Sequence, residues 1–286
     1  MRWIHLTRRA GMKHHKDRFA SIQFDEGLEP SVMRLLDLVR EFPCALLPIK
    51  GSDAVAESVF SSRGFHLYPT VLKTTLFYDP ASDCFLKILH PLPLKLRDRA
   101  HCLITDRARH IYSLSEWLRH RGVKVPRVRA FGKIREGRKP FYAIDRVQGR
   151  SLYDILIREQ REIPSELYRK VMDEVAGLHG LGYWFGDAHL SHIFVHDGEI
   201  SGFIDIDSVR RNRPFRLSHL AKDIAGLNHP GLPVGSGAKE SLLRRYAGKM
   251  NLQDERAFRY MVKDYSEKRW TSARHGISSA AGAPGR

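Results

Sequence analysis

Apolar residues recur at helical spacing in the N-terminal part of the chain. Four of them stand at positions i, i+3, i+4 and i+7, namely Val32, Leu35, Leu36 and Val39. This spacing predicts an amphipathic helix, with Ser31 as its N-cap and Pro43 as its stop. The same pattern predicts further helices, which cover residues 103–121, a segment from 151, and residues 164–180, 241–246 and 254–263.

Two β-rich runs, 71–78 and 84–89, are separated by the turn-like segment 79–83. They predict two consecutive antiparallel strands. Lys87 lies in the second run between Leu86 and Ile88. Because side chains alternate between the two faces of a strand, Lys87 should point away from the face that its neighbours share. Two more strands are predicted, at residues 126–132 and 141–147.

A tight β-hairpin is predicted in the second half of the chain. Two β-rich runs, 193–196 and 199–204, are joined by Asp197-Gly198 alone. This dipeptide accepts the positive φ angles of a type I′ turn and is the strongest short-range hairpin signal. We therefore expect His196 to face Glu199 next to the turn.

The open end of this hairpin gathers ionisable residues. Counting outward from the turn brings His192 opposite Phe203 and places Asp205 just beyond. Asp187 precedes His192 by five residues. Two carboxylates and an imidazole in one small volume are costly unless a cation or a proton transfer compensates. The pattern therefore indicates either a metal site or an acid–base site.

The spacing of these residues resembles the catalytic loop of protein kinases. In that pattern an Asp accepts the proton of the substrate hydroxyl, a metal-binding Asn follows five residues later, and a metal-binding Asp ends a short hairpin. Asp187, His192 and Asp205 occupy these three places. The chain departs from the pattern in three ways, since His replaces Asn, Phe185 replaces the usual His, and no Phe-Gly follows the second Asp.

The same departures are found in a known family. The segment D-x-x-x-x-H from Asp187 to His192, and the segment I-D-x-x-x-x-R from Ile204 to Arg210, resemble motifs of the lipopolysaccharide kinases of the Kdo/WaaP type. These enzymes belong to the protein-kinase-like superfamily and phosphorylate heptose or Kdo sugars of the Gram-negative inner core. The resemblance covers residues 70–227.

The resemblance implies an α+β chain with a two-lobed protein-kinase-like fold. The N-lobe would hold an antiparallel sheet plus a helix, and the C-lobe would be mostly helical. We expect these lobes at residues 66–148 and 149–270. Residues 1–65 form an N-terminal extension whose packing is not predicted, and the Gly, Ala and Ser content of residues 271–286 predicts a disordered tail.

The resemblance also implies cofactors and roles for site residues. ATP and Mg²⁺ would bind between the lobes, and Lys87 would hold the ATP phosphates. Asp187 would accept or orient the hydroxyl proton, while Asp205 and His192 would bind the metal. Because Mg²⁺ prefers oxygen to imidazole, an alternative role for His192 is a hydrogen bond to phosphate.

Two parts of the kinase pattern are missing from the N-lobe. Ile111 stands where the pattern has the Glu that pairs with the strand lysine. No G-x-G-x-x-G precedes Lys87, and residues 61–64 are the best phosphate-covering turn that the sequence offers. These features favour one alternative, a noncatalytic pseudokinase that binds an anionic partner. A second alternative is a small-molecule or protein kinase of the same fold.

Composition and charge narrow the range of partners. The chain has 286 residues, 42% of them hydrophobic, and a formal net charge of +16. It is therefore long and apolar enough to fold, and it should meet an anionic partner. We expect the lipopolysaccharide core or another anionic glycolipid. No nucleic-acid-binding motif accompanies the charge, so nucleic acid is not expected.

The location of the protein is predicted from its apolar runs. The N-terminal segment has no apolar run of signal-peptide length, and no 18 consecutive residues are apolar. We therefore expect a cytoplasmic protein. Its basic N-terminus suits a peripheral contact with the anionic inner membrane, although a solvated charged surface or a disordered leader is the alternative. The four arginines of the segment 210–216 are expected to clamp phosphate or carboxylate beside the site, with an exposed solubilising loop as the alternative.

Two residues outside the loop are predicted to be structural. His179 lies in the last turn of the helix that precedes the loop, where a packed or capping histidine is expected. Asp223 lies in a segment that resembles the K-D-[LI]-A motif of the lipopolysaccharide kinases, and the resemblance implies a structural role for it.

Overall fold

The computed structural model describes residues 12–42, 54–68, 73–90, 106–134 and 139–280. The chain divides into two compact units, the first comprising Met1–Arg121 and Pro126–Arg146 and the second comprising Gly122–Val125 and Val147–Arg286. The predicted helix stop at Pro43, the first two residues of the run 71–78 and the start of the helix at 103–121 lie outside the described residues.

The first unit is built on an antiparallel sheet. In the described part of the chain this sheet has seven strands in the order β1-β2-β6-β7-β5-β4-β3. The strands are β1 (Met12–Lys16), β2 (Ala20–Asp25), β3 (His66–Leu67), β4 (Thr74–Asp79), β5 (Cys84–Leu89), β6 (Val128–Ile134) and β7 (Lys139–Asp145). The four strands that the sequence predicts here all form, with ends that differ by a few residues.

Helices cover both faces of this sheet. They are α1 (Glu29–Glu41), α2 (Ala54–Ser62) and α3 (Arg107–His120). Leu35 and Leu36 of α1 are fully buried in one cluster with Phe77 and Phe141 of the strands, whereas Ile111 of α3 belongs to a separate cluster. The segment before residue 65 thus supplies two strands and two helices of the first unit.

Helix α1 begins differently from the prediction. Its first residue is Glu29, and Pro30 lies in its first turn, a position where the fixed φ of proline suits a helix. The Ser31 hydroxyl donates to the buried carboxylate of Asp79, and the guanidinium of Arg34 lies 2.7 Å from the same carboxylate. The prediction that Ser31 caps the helix is therefore wrong, because its hydroxyl has a partner on a distant strand.

The turn at residues 61–64 is a helix end and not a phosphate-covering loop. Gly64 has a φ of +75°, the left-handed conformation that commonly ends helices. The backbone N–H groups of Arg63 and Phe65 both donate to the carbonyl of Phe60, at 3.1 and 3.0 Å. These N–H groups are occupied by the helix that they end, so the sequence-based interpretation of this turn is wrong.

The second unit is mostly helical. Its long helices are α4 (Ser165–Gly180), α5 (Leu217–Leu227), α6 (Ser236–Lys249) and α7 (Glu255–Ala280), and a single π-helical turn covers Asp154–Arg158. Five short strands form two small sheets, namely β8 (Arg150–Ser151), β9 (Tyr183–Trp184), β10 (Ile193–His196), β11 (Glu199–Phe203) and β12 (Arg210–Arg211). The predicted fold class, α+β with an antiparallel N-terminal sheet and a helical C-terminal part, is confirmed.

Helix α7 is much longer than the sequence suggests. It was expected over residues 254–263, but it runs to Ala280. It therefore continues ten residues into the segment 271–286, for which composition predicts disorder. No proline interrupts it before Pro284, so nothing in the sequence forces an earlier end. None of the helices in the described part of the chain is long and apolar enough to cross a membrane.

Candidate active site

The predicted hairpin forms, and its turn has the expected geometry. Asp197 and Gly198 both have positive φ angles, +49° and +76°, as a type I′ turn requires. His196 pairs with Glu199 directly beside the turn. The predicted pairing of His196 with Glu199 is thus confirmed.

The pairing then shifts by one residue halfway along the hairpin. Val195 faces Ile200, whereas Phe194 faces Gly202. Ser201 is therefore an extra residue on the second strand, which makes a β-bulge. A bulge of this kind moves every residue beyond it by one position relative to the opposite strand.

The bulge corrects the predicted place of His192. The carbonyl of His192 accepts a hydrogen bond from the backbone N–H of Ile204 at 2.9 Å, so His192 is not opposite Phe203. The cause is local, since the Ser201 hydroxyl donates to the carbonyl of Gln148 at 2.6 Å and holds the extra residue in place. The shift leaves His192 bonded to the residue directly before Asp205.

A side-chain hydrogen bond links His192 to the loop residue Asp187. Nδ1 of His192 lies 3.0 Å from the backbone carbonyl oxygen of Asp187. A carbonyl can only accept, so Nδ1 carries the proton and, in the neutral ring, Nε2 keeps its lone pair. Two hydrogen bonds therefore connect Asp187, His192 and the backbone beside Asp205. The structure brings these three predicted residues together in the second unit.

Asp205 has an uncommon backbone conformation for a residue other than glycine. Its φ and ψ are +66° and +43°, in the left-handed region that Asp tolerates better than most residues. The Ser208 hydroxyl donates to its carboxylate, and the Ser208 N–H donates to its carbonyl at 3.0 Å. Such conformations cluster at functional sites, and here the turn holds a half-buried carboxylate in a defined position.

Asp187 is paired with an arginine that the sequence did not single out. Nη2 of Arg269, on α7, lies 3.0 Å from Oδ1 of Asp187. The Asp187 side chain is 59% exposed, so its carboxylate faces solvent while one oxygen is held. The two residues are 82 positions apart. Arg269 lies in a polar stretch of a long helix, which carries no sequence signal for such a contact.

The loop before Asp187 is anchored by a buried carboxylate. Asp223 accepts hydrogen bonds from the backbone N–H groups of Phe185 and Gly186, at 2.5 and 3.1 Å. His179 donates from Nε2 to the same carboxylate at 3.1 Å, and its Nδ1 lies 2.5 Å from the Tyr246 hydroxyl. Burial, and then the charge of Asp223, raise the pKa of Tyr246. His179 and Asp223 are therefore structural, as predicted.

Two glycines are required where this loop packs. A Cβ at Gly186 would lie 2.5 Å from the carbonyl oxygen of Ser208, and one at Gly226 of α5 would lie 2.1 Å from that of Ala188. Gly186 also has a φ of +80°. The loop around Asp187 is thus in direct backbone contact with the turn that holds Asp205 and with helix α5.

The donor set suits a metal that arrives with a nucleotide. The described residues contain no group of three or more His, Cys, Asp or Glu side chains that could hold a metal ion. Mg²⁺ is commonly held by one or two carboxylates together with substrate phosphates and waters. The Asp205 carboxylate and Nε2 of His192 fit this smaller contribution, with the second donor on nitrogen and not oxygen.

Lys87, the other predicted site residue, lies in the first unit. Leu86 and Ile88 are buried in the cluster that α1 covers, and Lys87 lies on the opposite face of β5, as the alternation predicts. Its Nζ is 6.0 Å from the centroid of the Tyr142 ring. Ile111 belongs to the same apolar cluster as Tyr142. An apolar side chain thus occupies the helix position where the kinase pattern has Glu.

The arginine-rich segment 210–216 forms a basic loop in the second unit. Arg211 of β12 donates from Nε to the Tyr183 hydroxyl at 3.1 Å. Beyond it Arg213 and Arg216 are exposed, and between them the Phe215 side chain is 60% exposed. The loop therefore presents an aromatic ring between two exposed cations.

Comparisons with known proteins agree with a phosphotransferase. Residues 94–185 match a family model described as the phosphotransferase enzyme family, and this match ends two residues before Asp187. A search of curated protein sequences gave no match.

Solved structures of kinases resemble the chain at low sequence identity. The bifunctional kinase-methyltransferase WbdD matches with a TM-score of 0.44 and 14% identity, over 68% of this chain and 47% of WbdD. The complex of WbdD with the kinase inhibitor LY294002 gives 0.46 and 14%, over 72% and 47%. Vaccinia related kinase 3 gives 0.34 and 15%, over 52% and 48%. The chain spans about half the length of these proteins.

Proposed function

We propose that this protein is an ATP-dependent kinase that transfers the γ-phosphoryl group to a sugar hydroxyl, a heptose or Kdo hydroxyl of the lipopolysaccharide inner core. One observation carries the proposal. An exposed carboxylate, that of Asp187, is held by Arg269 on one side and linked through His192 to the backbone at Asp205 on the other. The match of residues 94–185 to a phosphotransferase family supports it.

In this reaction Asp187 acts on the acceptor hydroxyl. The hydroxyl oxygen forms a bond to the γ-phosphorus, the bond from that phosphorus to the bridging oxygen breaks, and ADP leaves. Asp187 orients the hydroxyl and takes up its proton. The hydrogen bond from Arg269 occupies Oδ1 of Asp187 and leaves the second oxygen to face the acceptor.

His192 and Asp205 are the proposed metal-binding residues of the site. Mg²⁺ bound there would neutralise negative charge on the transferring group. The proton on Nδ1 of His192 is fixed by the carbonyl of Asp187, so Nε2 can act as a ligand or, when protonated, as a donor to phosphate. Lys87 of the first unit is the proposed cation for the ATP phosphates.

The acceptor determines where the enzyme acts. Lipopolysaccharide core or another anionic glycolipid is membrane-bound, so we place the reaction at the cytoplasmic face of the inner membrane. The basic loop, with Phe215 exposed between Arg213 and Arg216, and the net charge of +16 support a peripheral contact there.

A noncatalytic pseudokinase is the second candidate. Ile111 occupies the place of the usual Glu, and the turn at 61–64 is a helix end that cannot cover phosphates. A protein of this kind would bind an anionic partner without transferring phosphate. A small-molecule or protein kinase would keep the same residues and differ in the acceptor.

The test compares single-turnover phosphoryl transfer with ATP binding. In Asp187→Ala the rate of transfer to core oligosaccharide should fall by at least ~10²-fold, the usual loss for a general base, while the Kd for ATP changes little. Asp205→Asn should instead weaken Mg²⁺-dependent ATP binding. Wild-type protein that binds ATP but transfers phosphate to no acceptor would establish the pseudokinase, and transfer to a peptide or a free small molecule alone would contradict the lipopolysaccharide acceptor.

A further inference from the structure

Four side-chain rings of the second unit form a cluster beside the loop. We call it the ring cluster, and its members are Tyr153, His189, His229 and Trp270. The centroid of His189 lies 5.5 Å from that of Tyr153 and 5.9 Å from that of Trp270. The centroid of His229 lies 5.8 and 4.6 Å from the same two rings. All four side chains are only partly buried, so the cluster is not a closed core.

The ring cluster borders the carboxylate of Asp187 from two directions. His189 follows Asp187 by two residues in the same loop. Arg269, which binds Asp187, also has its guanidinium 5.5 Å from the centroid of the Trp270 ring. A molecule that lies against these rings would therefore have its edge near the group that is proposed to take up the hydroxyl proton.

Both imidazoles of the cluster offer a neutral N–H donor. Nδ1 of His189 accepts from the Ser191 N–H at 3.2 Å, and Nδ1 of His229 accepts from the Gly231 N–H at 3.0 Å. Since a backbone N–H only donates, the ring proton of each histidine is on Nε2. Neither Nε2 has a hydrogen-bond partner among the described residues.

Because Nδ1 of each ring accepts a hydrogen bond, each imidazole is neutral. Burial, and then the neighbouring charges of His192 and Arg269, lower the pKa of His189 to about 4. The pKa of His229 is also lowered, by burial and then by Lys239. The surface beside Asp187 thus combines aromatic faces, neutral N–H donors and one fixed cation, Arg269.

This chemistry selects among hydroxyl-bearing acceptors. The C–H face of a sugar ring packs on aromatic rings, and its hydroxyl oxygens accept from neutral N–H donors. An amino sugar would need a carboxylate partner. Asp187 is assigned to the acceptor hydroxyl in the proposed function, and Asp154, the nearest other carboxylate in sequence, is already paired with Arg158 at 2.9 Å. Arg158 itself lies over the Tyr153 ring.

We infer that the ring cluster is the acceptor subsite and that it binds the ring of a sugar without positive charge. The inference rests on the proposed function for the role of Asp187, but it concerns binding and is tested without phosphoryl transfer. It assigns the place where the acceptor ring binds and excludes an amino sugar from that place.

The test is heptose binding to the full chain, followed by ligand-observed NMR and without nucleotide. Wild-type protein should bind heptose and should bind glucosamine at least several-fold more weakly. His189→Phe keeps the ring and removes the donor, and Trp270→Leu removes a ring face. Each should weaken heptose binding by roughly 3- to 10-fold, the range of one aromatic or hydrogen-bond contact.

A matched control comes from another histidine–tryptophan pair of the same unit. His219 stacks on Trp184 with centroids 4.2 Å apart, outside the ring cluster. His219→Phe should leave heptose binding unchanged, and thermal unfolding should show that all variants are folded. If Trp270→Leu fails to fold, His189→Phe and His229→Phe decide the result.

The outcomes separate this inference from the proposed function. Heptose binding that is equal in wild type and in the folded ring-cluster variants, or tighter glucosamine binding, would overturn the subsite even if the protein transfers phosphate. Weakened binding in those variants alone would support the subsite even if no phosphoryl transfer is ever found.

Discussion

At the scale of single residues, the hydrogen bond from Nδ1 of His192 to the carbonyl of Asp187 determines what the imidazole can do. It leaves only Nε2 for a metal or a phosphate. An Asn side chain at this place can donate its N–H₂ to the same carbonyl and offer an oxygen to the metal. In the proposed site, His in place of Asn would therefore change the ligand atom and keep the internal hydrogen bond.

This arrangement leads to a prediction for position 192. His192→Asn should retain more phosphoryl transfer than His192→Ala, because only Asn can replace both the hydrogen bond and the ligand. It should also shift the metal preference toward Mg²⁺, which prefers oxygen. Single-turnover rates with Mg²⁺ and Mn²⁺ measure this. Equal losses of rate in both variants with both metals would show that His192 does not take part in metal binding.

The contact between Arg269 and Asp187 gives a second prediction. Arg269→Gln removes the charge that holds Oδ1 of Asp187 and should slow phosphoryl transfer about tenfold, the scale of one hydrogen bond to a charged group. Arg269→Lys should recover part of the rate, since it restores charge without the planar fork. The neighbouring cation Lys268, which pairs with Asp264 at 2.7 Å, provides the control.

In that control, Lys268→Gln should leave the rate unchanged. The comparison uses kcat and KM separately, together with the pH profile of kcat. If Arg269 had only a structural role, Arg269→Gln would lower thermal stability and leave the pH profile of kcat of the folded enzyme unchanged. A rate in Arg269→Gln equal to that of the wild type would refute the positioning role.

The sequence predicts some of these residues and not others, for a physical reason. Asp187, His192 and Asp205 lie within 19 positions and around one hairpin, so strand geometry relates them. Arg269 reaches Asp187 from 82 positions away. Ser31 likewise binds Asp79, which is 48 positions distant. No periodicity encodes contacts of this kind, because they depend on how separate elements pack.

At the scale of elements, the first unit shows which strands and helices local sequence patterns predict and which they do not. The strands around Lys87 and the helix at residues 103–121 were predicted because alternation and helical spacing are local. Local patterns do not predict the positions of β1 and β2 in the sheet, because the pairing of β2 with β6 joins segments more than 100 residues apart. Helix α1 was predicted, but its packing against the sheet was not.

A buried histidine of this unit predicts how stability depends on pH. His90 follows β5, its Nε2 lies 2.7 Å from the Thr75 hydroxyl, and it is almost fully buried. Burial, and then Lys139, lower its pKa to about 4 from the ordinary value of 6.5. The unfolded chain therefore takes up the proton first as the pH falls. The free energy of unfolding should decrease between pH 6.5 and 4.

Urea unfolding at pH 7, 5.5 and 4.5 measures this dependence. His90→Gln should reduce the slope in this window, whereas His120→Gln, at an exposed position of α3, should leave it as in the wild type. Other histidines with a lowered pKa, such as the partly buried His189, also contribute, so part of the slope should persist. A slope that His90→Gln does not alter would contradict the assigned pKa.

At the scale of the whole molecule, net charge is the property that composition predicts best. The excess of 48 basic over 32 acidic residues gives the formal charge of +16. Exposed charges are screened beyond a Debye length of ~8 Å at physiological salt. Any attachment to an anionic surface that depends on this charge must therefore weaken as salt is added.

The vesicle experiment tests the proposed membrane contact. The protein should sediment with vesicles of phosphatidylcholine and phosphatidylglycerol at low salt and should be released as salt increases. Phe215→Ser should weaken sedimentation, because the exposed ring lies between Arg213 and Arg216. Tyr260→Ser, which changes an aromatic residue that is 75% exposed on α7, is the control. Failure to bind at low salt, or binding that salt does not affect, would rule out this contact.

Because of the bulge at Ser201, the number of residues in β11 does not by itself fix which residues face each other in the hairpin. Ser201 adds one residue to β11, and a Cβ on Gly202 beside it would lie 3.0 Å from Cγ1 of Val147, which is a tight contact. Deletion of Ser201 would remove the bulge and leave Phe203 opposite Ile193, whereas straightening the bulge without a deletion would bring Phe203 opposite His192. In related chains, a hairpin with one residue fewer between the turn and the aspartate at its open end can therefore keep the same pairing there, so residue counts should be aligned with the bulge in mind.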